Sequence, residues 1–277
     1  MRVRLCSKST GSRYSLVVSI ARALIVVPTL GTRPELLEHC LRSIASQGVA
    51  VDIRIVAPSG NSVAESLALQ FGAELTPDPG SLAGAINLGV AQAGSNHEYV
   101  NWLGDDDLLE PGSLEATMRL LDSDQKCVLA YGACRYIDEH GAELWISRAG
   151  KWAPRILKWG PDLIPQPGML IRRSSWVEVG GLDESFRFAF DLDLLLKLQR
   201  RGTLRDVGQV VSSFRWHGDS LTVGDRSTSL KESETARRQA LGRISKNLAW
   251  LWERPVRGAT RLAAWELHRR AERILTQ

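Results

Sequence analysis

The sequence predicts an α/β fold in which strands and helices alternate around a mostly parallel central sheet. Two observations carry this prediction: short β-branched runs are followed by segments of helical periodicity, and turns rich in Gly, Pro or Asp end the runs. Strands that alternate with helices imply right-handed βαβ crossovers, which make neighbouring strands parallel. Ligands of such sheets bind at the carboxyl ends of the strands, so the turns at those ends are the first candidates for function.

The first half of the chain contains four predicted strand–helix pairs. Thr32 and Glu35 have the spacing of a capping box and predict the start of the first helix, which has an apolar stripe from Leu36 to Ile44. The predicted strands are 23–27, 51–56, 73–75 and 98–103, and the other predicted helices are 62–71, 81–93 and 111–121. Turns 28–31, 58–61 and 104–107 follow three of these strands, so one cleft is expected to collect them.

The second half is less regular. Between 151 and 167 lies a loop rich in Trp and Pro, which separates two groups of predicted elements. The predicted strands are 128–137, 143–146, 168–172 and 207–216, and the predicted helices are 174–179 and 191–201.

Composition bounds the class of protein. The chain has 277 residues, of which 44% are hydrophobic and 24% charged, as is ordinary for a globular protein able to bury a sizeable core. Its four cysteines lack metal-type spacing and are expected to be reduced thiols. No apolar run reaches the roughly 18 residues typical of a transmembrane helix.

Charge is distributed unevenly along the chain. From Arg226 onward there are twelve Lys and Arg but five Glu, although the net charge of the whole chain is +4. We therefore predict a basic, disordered N-terminal tail at 1–22, an α/β domain at 23–225, and a basic, Trp-containing helical extension at 226–277.

The most informative stretch is an apolar strand that ends in Gly104 and three consecutive carboxylates, Asp105, Asp106 and Asp107. Adjacent carboxylates repel one another, and their oxygens are the ligands that Mg²⁺ or Mn²⁺ prefers. The run therefore indicates a divalent-cation site. A solvated turn is the alternative, because Asp is common where strands end.

Six motifs in order give the chain a family resemblance. It resembles the inverting family-2 glycosyltransferases, which have the GT-A (nucleotide-diphosphosugar transferase) fold, a Rossmann-like α/β/α sandwich. The resemblance covers roughly residues 23–222. The motifs are Val26–Leu30 with Arg33–Leu37, Asn87-x-Gly89, Gly104–Asp107 through Pro111-Gly112, Gly180–Glu184, Phe190–Leu194, and Trp216–Ser220.

The resemblance implies a nucleotide-diphosphate sugar as donor, with a UDP- or dTDP-sugar expected, and Mg²⁺ or Mn²⁺ as cofactor. The residues that it assigns to the donor nucleotide are Pro28, Thr29, Leu30, Arg33, Glu35, Asn87 and Asp105. Those that it assigns to the metal are Asp106, Asp107 and His217. Many relatives have Asp where this chain has Gly104, so the choice of metal ligand among the three carboxylates stays open.

Asp191 matches the family's catalytic base, which removes a proton from the acceptor hydroxyl. A position at the start of a helix favours the ionised form that a base needs. The alternative is a helix-terminal carboxylate without catalytic function. We assign Asp193, Trp152 and Trp159 to the acceptor side, where aromatic faces can pack against a sugar.

Three departures from the family pattern motivate a second hypothesis, a catalytically degenerate relative that binds a nucleotide or glycan as a partner subunit. They are Gly104, Pro58 where relatives place an Asp near the uracil, and Phe190 where relatives have an acid. Asp106 and Asp191 argue against it. An aspartate-nucleophile phosphotransferase is discounted, because Leu109 stands where that chemistry usually needs Thr or Val.

The resemblance suggests a glycan or lipid-linked acceptor in polysaccharide or glycolipid synthesis of the cell envelope, hence a cytoplasmic location. The basic extension at 226–277 suits peripheral contact with an anionic membrane surface, although a solvated helix face is the alternative. No recognised nucleic-acid module accompanies the charge, so no nucleic-acid partner is expected.

Overall fold

The computed structural model describes residues 20–94, 96–148, 150–216 and 226–241, together with 255 and 258. Most of the tail predicted at 1–22 and of the extension predicted at 226–277 lies outside these residues, as does His217. Every described helix is too short, or not apolar enough, to cross a lipid bilayer.

Nine strands within the described ranges form one sheet, in the order β3-β2-β1-β4-β8-β6-β9-β5, with β7 paired to β6. Their bounds are β1 Ala23–Pro28, β2 Val51–Ala57, β3 Glu74–Pro77, β4 Tyr99–Trp102, β5 Leu108–Leu109, β6 Cys127–Ile137, β7 Glu143–Ser147, β8 Leu170–Arg172 and β9 Thr203–Arg215.

Eight helices are described in the same ranges. They are α1 Pro34–Ala45, α2 Ser62–Phe71, α3 Leu82–Ala91, α4 Ser113–Ser123, α5 Ala153–Ile156, α6 Arg173–Val179, α7 Phe190–Leu198 and α8 Arg226–Ala240. The predicted α/β class is confirmed, and the predicted elements are found with shifts of a few residues. The strand β5 and the short helix α5 had no signal in the sequence.

The sheet is mixed, which differs from the mostly parallel sheet that the pattern predicts. Strands β3, β2, β1 and β4 are parallel, and so are β6 and β9. Strand β8 runs antiparallel to both β4 and β6, and the pairs β6–β7 and β5–β9 are also antiparallel. The difference arises because residue patterns locate strands without giving their direction. The strands predicted at 143–146 and 168–172 exist as β7 and β8 but run antiparallel to β6, and the two-residue β5 has no periodic pattern.

The core lies in two layers, one on each face of the sheet. Successive residues of β1 alternate between them, as a pleated strand requires. Leu24 and Val26 contribute to the layer that includes buried residues of α3, α6, α7 and α8. Ala23, Ile25 and Val27 contribute to the layer of α1, α2 and α4. Helices therefore cover both faces, and the α/β/α sandwich is confirmed.

The capping box predicted at Thr32 and Glu35 is wrong. Helix α1 has Arg33 as its N-cap residue, without a side-chain cap, and Pro34 in its first turn. Pro suits that position, because it has no amide hydrogen to leave unpaired. Arg33 directs its side chain to the acidic turn after β4 instead.

Helix α8 belongs to the basic extension, yet it packs against the α/β unit. Ala236 is 1% exposed and lies in the core layer of α7. The Gln239 carbonyl accepts a hydrogen bond from Arg200, just beyond the end of α7, at 3.1 Å. The predicted boundary between 225 and 226 stays a prediction.

Candidate active site

The turn after β1 is fixed by its own hydrogen bonds and by Asn61. The Thr29 hydroxyl donates to Asp105 Oδ2 at 2.6 Å and accepts the Gly31 amide at 2.9 Å. The Asn61 side chain donates to the Leu30 carbonyl at 2.9 Å. Gly31 has a φ of 68°, and a Cβ there would collide with the Asn61 side chain, so both conformation and space require glycine.

The acidic turn after β4 meets this first turn through an arginine. Arg33 Nη2 donates to Asp105 Oδ1 at 2.5 Å, and Nη1 donates to Asp106 Oδ2 at 2.7 Å. A guanidinium group can bridge two carboxylates because its donors form a rigid, planar fork. The turns after β1, β2 and β4 thus come together at one edge of the sheet, as predicted.

Asp107 faces the other way, into the protein. Its Oδ1 accepts the Arg215 amide at 3.2 Å, and the residue is 4% exposed. Burial, then the charge of Asp106, raises the pKa of Asp107 well above its ordinary value. The Arg215 side chain is itself engaged with the carbonyls of Asp106, Asp138 and Glu139. Asp107 therefore lies in an environment where additional positive charge would be stabilising.

Gly104 is explained by the space around it. A Cβ at this position would lie 2.8 Å from Asp107 Oδ2 and 3.2 Å from Asp106 Oδ1. A carboxylate side chain here would crowd two others. The departure from the family pattern is consistent with the inward orientation of Asp107.

A divalent cation fits the donor chemistry of this turn in part. Asp106 and Asp107 offer hard oxygen ligands, of the kind that Mg²⁺ and Mn²⁺ prefer. Among the described residues, however, no group of three or more His, Cys, Asp or Glu could hold a metal ion. A cation would need further donors, such as the diphosphate oxygens of a donor sugar or His217.

The other residues assigned to the donor nucleotide lie in different surroundings. Pro28 ends β1 beside Thr29, Leu30 is 63% exposed, and Glu35 is exposed in the first turn of α1. Asn87 is used structurally: its side chain donates to the Leu182 carbonyl at 2.9 Å and accepts the Leu182 amide at 2.9 Å. It fixes the turn at 180–184 to α3.

Asp191 lies in the first turn of α7, which packs against the end of β4. The preceding residue, Phe190, is 8% exposed, and its ring centroid is 6.3 Å from that of Trp102, the last residue of β4. Phe190 therefore anchors the start of α7 against the strand that leads to Asp105–Asp107. This contact gives a packing reason for an aromatic residue where relatives have an acid.

The Asp191 carboxylate has a suitable environment for a base. Its Oδ1 accepts the Leu192 amide at 2.7 Å. Burial raises the pKa of Asp191 to about 6, and its hydrogen bonds to backbone amides oppose that rise. A carboxyl group with a pKa near the working pH is well matched to proton removal.

Asp162 was missed by sequence reasoning. It belongs to the Trp/Pro-rich loop, and its Oδ1 accepts the Ile164 amide at 2.9 Å. Burial and the charge of Asp191 raise the pKa of Asp162 to about 7. The two carboxylates therefore titrate as a pair. An acid within an otherwise apolar and basic loop was the available signal.

The residues assigned to the acceptor side differ in exposure: the two tryptophans are exposed to solvent, whereas the aspartate is buried. Trp152 and Trp159 are 59% and 42% exposed, and the guanidinium carbon of Arg155 lies 4.2 Å from the Trp152 ring centroid. Asp193 is 3% exposed and pairs with Lys197 at 2.7 Å within α7, so the structure gives its acceptor assignment no support.

Arg215 and Glu232 were also missed. Arg215 is buried at the end of β9 next to the acidic turn, and an arginine between two aromatic residues near the end of the predicted strand 207–216 was a signal that could have been used. Glu232 lies on α8, outside the motifs, and its helix shows no pattern that separates it from a solvated face.

With this geometry established, comparison with known proteins identifies the family. The family model of glycosyl transferase family 2 matches residues 24–176, more than half of the chain. The chain belongs to this family. It is therefore a glycosyltransferase, as its sequence resemblance implied.

Curated proteins similar to this family-2 chain are also named as glycosyltransferases or as a polysaccharide synthase. A glycosyltransferase of Rickettsia typhi, described as uncharacterized, is 24% identical over 243 residues, which cover 84% of this chain and 74% of that protein. The chondroitin synthase of Pasteurella multocida is 24% identical over 166 residues, which cover 59% of this chain and 17% of that protein.

Solved structures share the fold. TarS of S. aureus, residues 1–349, has a TM-score of 0.60 at 13% identity, covering 82% of this chain and 69% of that one. A mannosyltransferase of Pyrobaculum calidifontis, in complex with GDP-Man and Mn²⁺, has a TM-score of 0.53 at 16% identity, covering 80% of this chain and 62% of that one. The GT-A fold is confirmed.

We predict that Thr29→Val destabilises this family-2 enzyme by about 1–3 kcal/mol, because the buried Asp105 carboxylate loses a hydroxyl donor while the side-chain volume is kept. Urea denaturation at neutral pH measures the loss. Thr32→Val, the same exchange at an exposed position three residues later, is the control and should leave stability unchanged. Equal effects of the two exchanges would contradict the role of Thr29.

Proposed function

We propose that the protein is an inverting, metal-dependent glycosyltransferase that moves one sugar from a nucleotide-diphosphate donor to a hydroxyl group of a glycan or glycolipid. The observation that carries this proposal is the placement of Asp191. Its carboxylate is held at the start of α7, with a pKa raised to about 6, and the neighbouring Phe190 contacts the strand that leads to the acidic turn.

The chemistry is a single displacement. Asp191 accepts the proton of the acceptor hydroxyl while that oxygen forms a bond to the anomeric carbon of the donor sugar. The bond from this carbon to the diphosphate breaks, and the nucleoside diphosphate leaves with the electron pair. Attack from the opposite face inverts the anomeric centre, and no enzyme nucleophile is required. The Leu192 amide, bonded to Asp191 Oδ1, orients the base.

The donor is proposed to bind across the turns after β1 and β4, with Thr29, Arg33 and Asp105 forming the floor of the site. Asp106 and Asp107, together with His217, would hold Mg²⁺ or Mn²⁺. When bound, the cation would neutralise charge on the diphosphate leaving group. A UDP- or dTDP-sugar is the proposed donor, and the Mn²⁺ in the mannosyltransferase complex supports metal use in this fold.

The acceptor is proposed to be a glycan or lipid-linked sugar that approaches over Trp152 and Trp159. Both rings are exposed on the loop that also carries Asp162, whose pKa is raised in part by the charge of Asp191. Aromatic faces bind sugars through their C–H surfaces. The pathway would be synthesis of a cell-surface polysaccharide or glycolipid in the cytoplasm.

A catalytically degenerate, nucleotide- or glycan-binding partner subunit is the second candidate. The observation that favours it is Gly104, which removes a carboxylate from the acidic motif. The environments of Asp106 and Asp191 favour the enzyme.

We predict that Asp191→Asn lowers the rate of sugar transfer by at least about a hundredfold while donor affinity is retained, because only the proton acceptor is removed. Nucleoside diphosphate release in the presence of acceptor measures transfer, and calorimetry measures donor binding. In the wild type, turnover should fall as the pH is lowered through 7 to 6, where Asp162 and Asp191 take up protons.

Asp124→Asn, the same exchange at a carboxylate that pairs with Arg205 outside the family motifs, is the matched control and should keep the wild-type pH profile. Near-normal turnover by Asp191→Asn would refute the assignment of the base.

We predict that one nucleoside diphosphate among UDP, dTDP, GDP and ADP raises the melting temperature, and that the rise requires Mn²⁺. A ligand that binds only the native state stabilises it by mass action. Asp106→Ala should remove the metal-dependent part of the shift. Absence of any shift in the wild type would favour the degenerate partner, and an unchanged shift in Asp106→Ala would remove that residue from the site.

Membrane contact is proposed to involve a surface at 148–163 in addition to the basic extension at 226–277. The apolar residues exposed on it are Trp152, Ile156, Trp159 and Leu163. The cations of this segment are Arg148, Lys151, Arg155 and Lys158. Interfacial Trp residues and juxtamembrane cations both favour an anionic bilayer surface. A lipid-linked acceptor would be presented at the same place.

We predict that the protein sediments with phosphatidylcholine vesicles that contain phosphatidylglycerol but not with pure phosphatidylcholine vesicles. The double variant Trp152→Ala, Trp159→Ala should lose most of this binding, because it removes the two largest apolar side chains of the surface. Leu69→Ala, which removes an apolar side chain 85% exposed on α2, is the control. Equal binding by all three proteins would exclude the 148–163 surface.

A further inference from the structure

Glu232 of α8 accepts hydrogen bonds from three consecutive backbone amides just before the candidate base. Its Oε1 accepts the Arg187 amide at 3.1 Å, and its Oε2 accepts the Phe188 amide at 2.7 Å and the Ala189 amide at 3.0 Å. Helix α8 lies beyond the residues 24–176 that the family model matches. The contact thus joins two segments that both lie outside that match, α8 and the turn that leads into α7.

Helix α7 needs an acceptor at this end. Its N-cap residue is Ala189, which has no side chain able to accept a hydrogen bond. The first amides of a helix have no partner within the helix and require one from elsewhere. Glu232 provides it for the amide of Ala189 and for the two residues before it, whereas Asp191 Oδ1 accepts the amide of Leu192. Two carboxylates therefore share the amides at the start of α7.

A second contact of α8 is made with the Trp/Pro-rich loop. Arg237 Nε donates to the Leu157 carbonyl at 3.4 Å, on the loop that carries Asp162. The charge of Arg237 opposes the rise in the pKa of Asp162, and burial lowers the pKa of Arg237 itself. One helix thus contacts both segments that carry the paired carboxylates.

We propose that Glu232 is a positioning residue for Asp191. By accepting hydrogen bonds from the amides of residues 187–189, it holds the first turn of α7 so that the Asp191 carboxylate stays in position and shielded from water. The catalytic part of this inference rests on the proposed function, whereas the positioning itself does not.

The expected effect of losing this carboxylate follows from the environment of the base. Burial is the main cause of the raised pKa of Asp191. A looser first turn would admit water, and removal of the Glu232 charge would act in the same direction, so the pKa of Asp191 should fall. Of the other charged groups nearby, Asp162 and Arg237 stay in place, so the change can be attributed to Glu232.

The test compares Glu232→Ala with Lys231→Ala. Both exchanges introduce a good helix former at neighbouring positions of α8, but Lys231 is exposed and lies outside the proposed site. Glu232→Gln keeps one acceptor oxygen and serves as the conservative variant if the alanine protein folds poorly. Amide hydrogen exchange over residues 186–193 measures positioning. The carboxyl ¹³C shift of Asp191, identified by its loss in Asp191→Asn, measures its pKa.

We expect exchange in that segment to be at least about tenfold faster in Glu232→Ala, with a smaller change in Glu232→Gln and none in Lys231→Ala. The pKa of Asp191 should fall from about 6 toward the ordinary value of about 3.9. With the donor found by the nucleotide panel, kcat should fall about ten- to a hundredfold at unchanged donor KM.

Wild-type exchange and an unchanged Asp191 pKa in both Glu232 variants would overturn the proposal. A loss of kcat without either change would also overturn it, because it would indicate a role other than positioning. If no donor is turned over by the wild type, the proposed function fails, and the exchange and pKa measurements still decide whether Glu232 positions Asp191.

Discussion

The cleft depends on one electrostatic constraint: carboxylates gathered at the edge of a buried sheet must each find donors or positive charge. Arg33 meets this need for Asp105 and Asp106, and the Arg215 amide meets part of it for Asp107. Each of these donors comes from a different element, so the acidic turn is stable only when α1 and β9 are in place around β4. Because the neighbouring carboxylates repel one another, the acidic turn keeps this conformation only when the rest of the fold is formed around it.

A hydrophobic contact links this charged edge to the candidate base. Trp102 ends β4, and its ring lies 6.3 Å from that of Phe190 and 6.0 Å from that of Trp176, while its carbonyl accepts a hydrogen bond from Gln166 at 2.9 Å. Side chain and backbone of one residue therefore contact α6, α7 and the Trp/Pro-rich loop. The donor side and the base are positioned relative to each other by close packing, which tolerates little displacement.

Much of this could be predicted from the sequence, for identifiable reasons. The residues of β1 and α1 show clear periodic patterns. The turns that contain Thr29 and Asp105–Asp107 follow parallel strands, whose carboxyl ends meet at one edge of the sheet. β5 is too short for a periodic pattern, and β7 and β8 were predicted as strands but their antiparallel direction is not encoded in local spacing. Asp162 and Glu232 act through contacts between segments far apart in the chain, which local spacing does not encode. Arg33 was assigned to the donor nucleotide from a motif, but in the structure its guanidinium group donates hydrogen bonds to Asp105 and Asp106 of the acidic turn.

The contact between α8 and the start of α7 has a consequence for how the C-terminal part of the chain can be altered. The family model matches residues 24–176, whereas the core layer that contains residues of α7 extends to Ala236. A change at Glu232 removes the acceptor of the amides at 187–189, the last of which lies two residues before Asp191. Exchange or truncation of α8 would therefore disturb the candidate base even if the strands and the acidic turn were left intact.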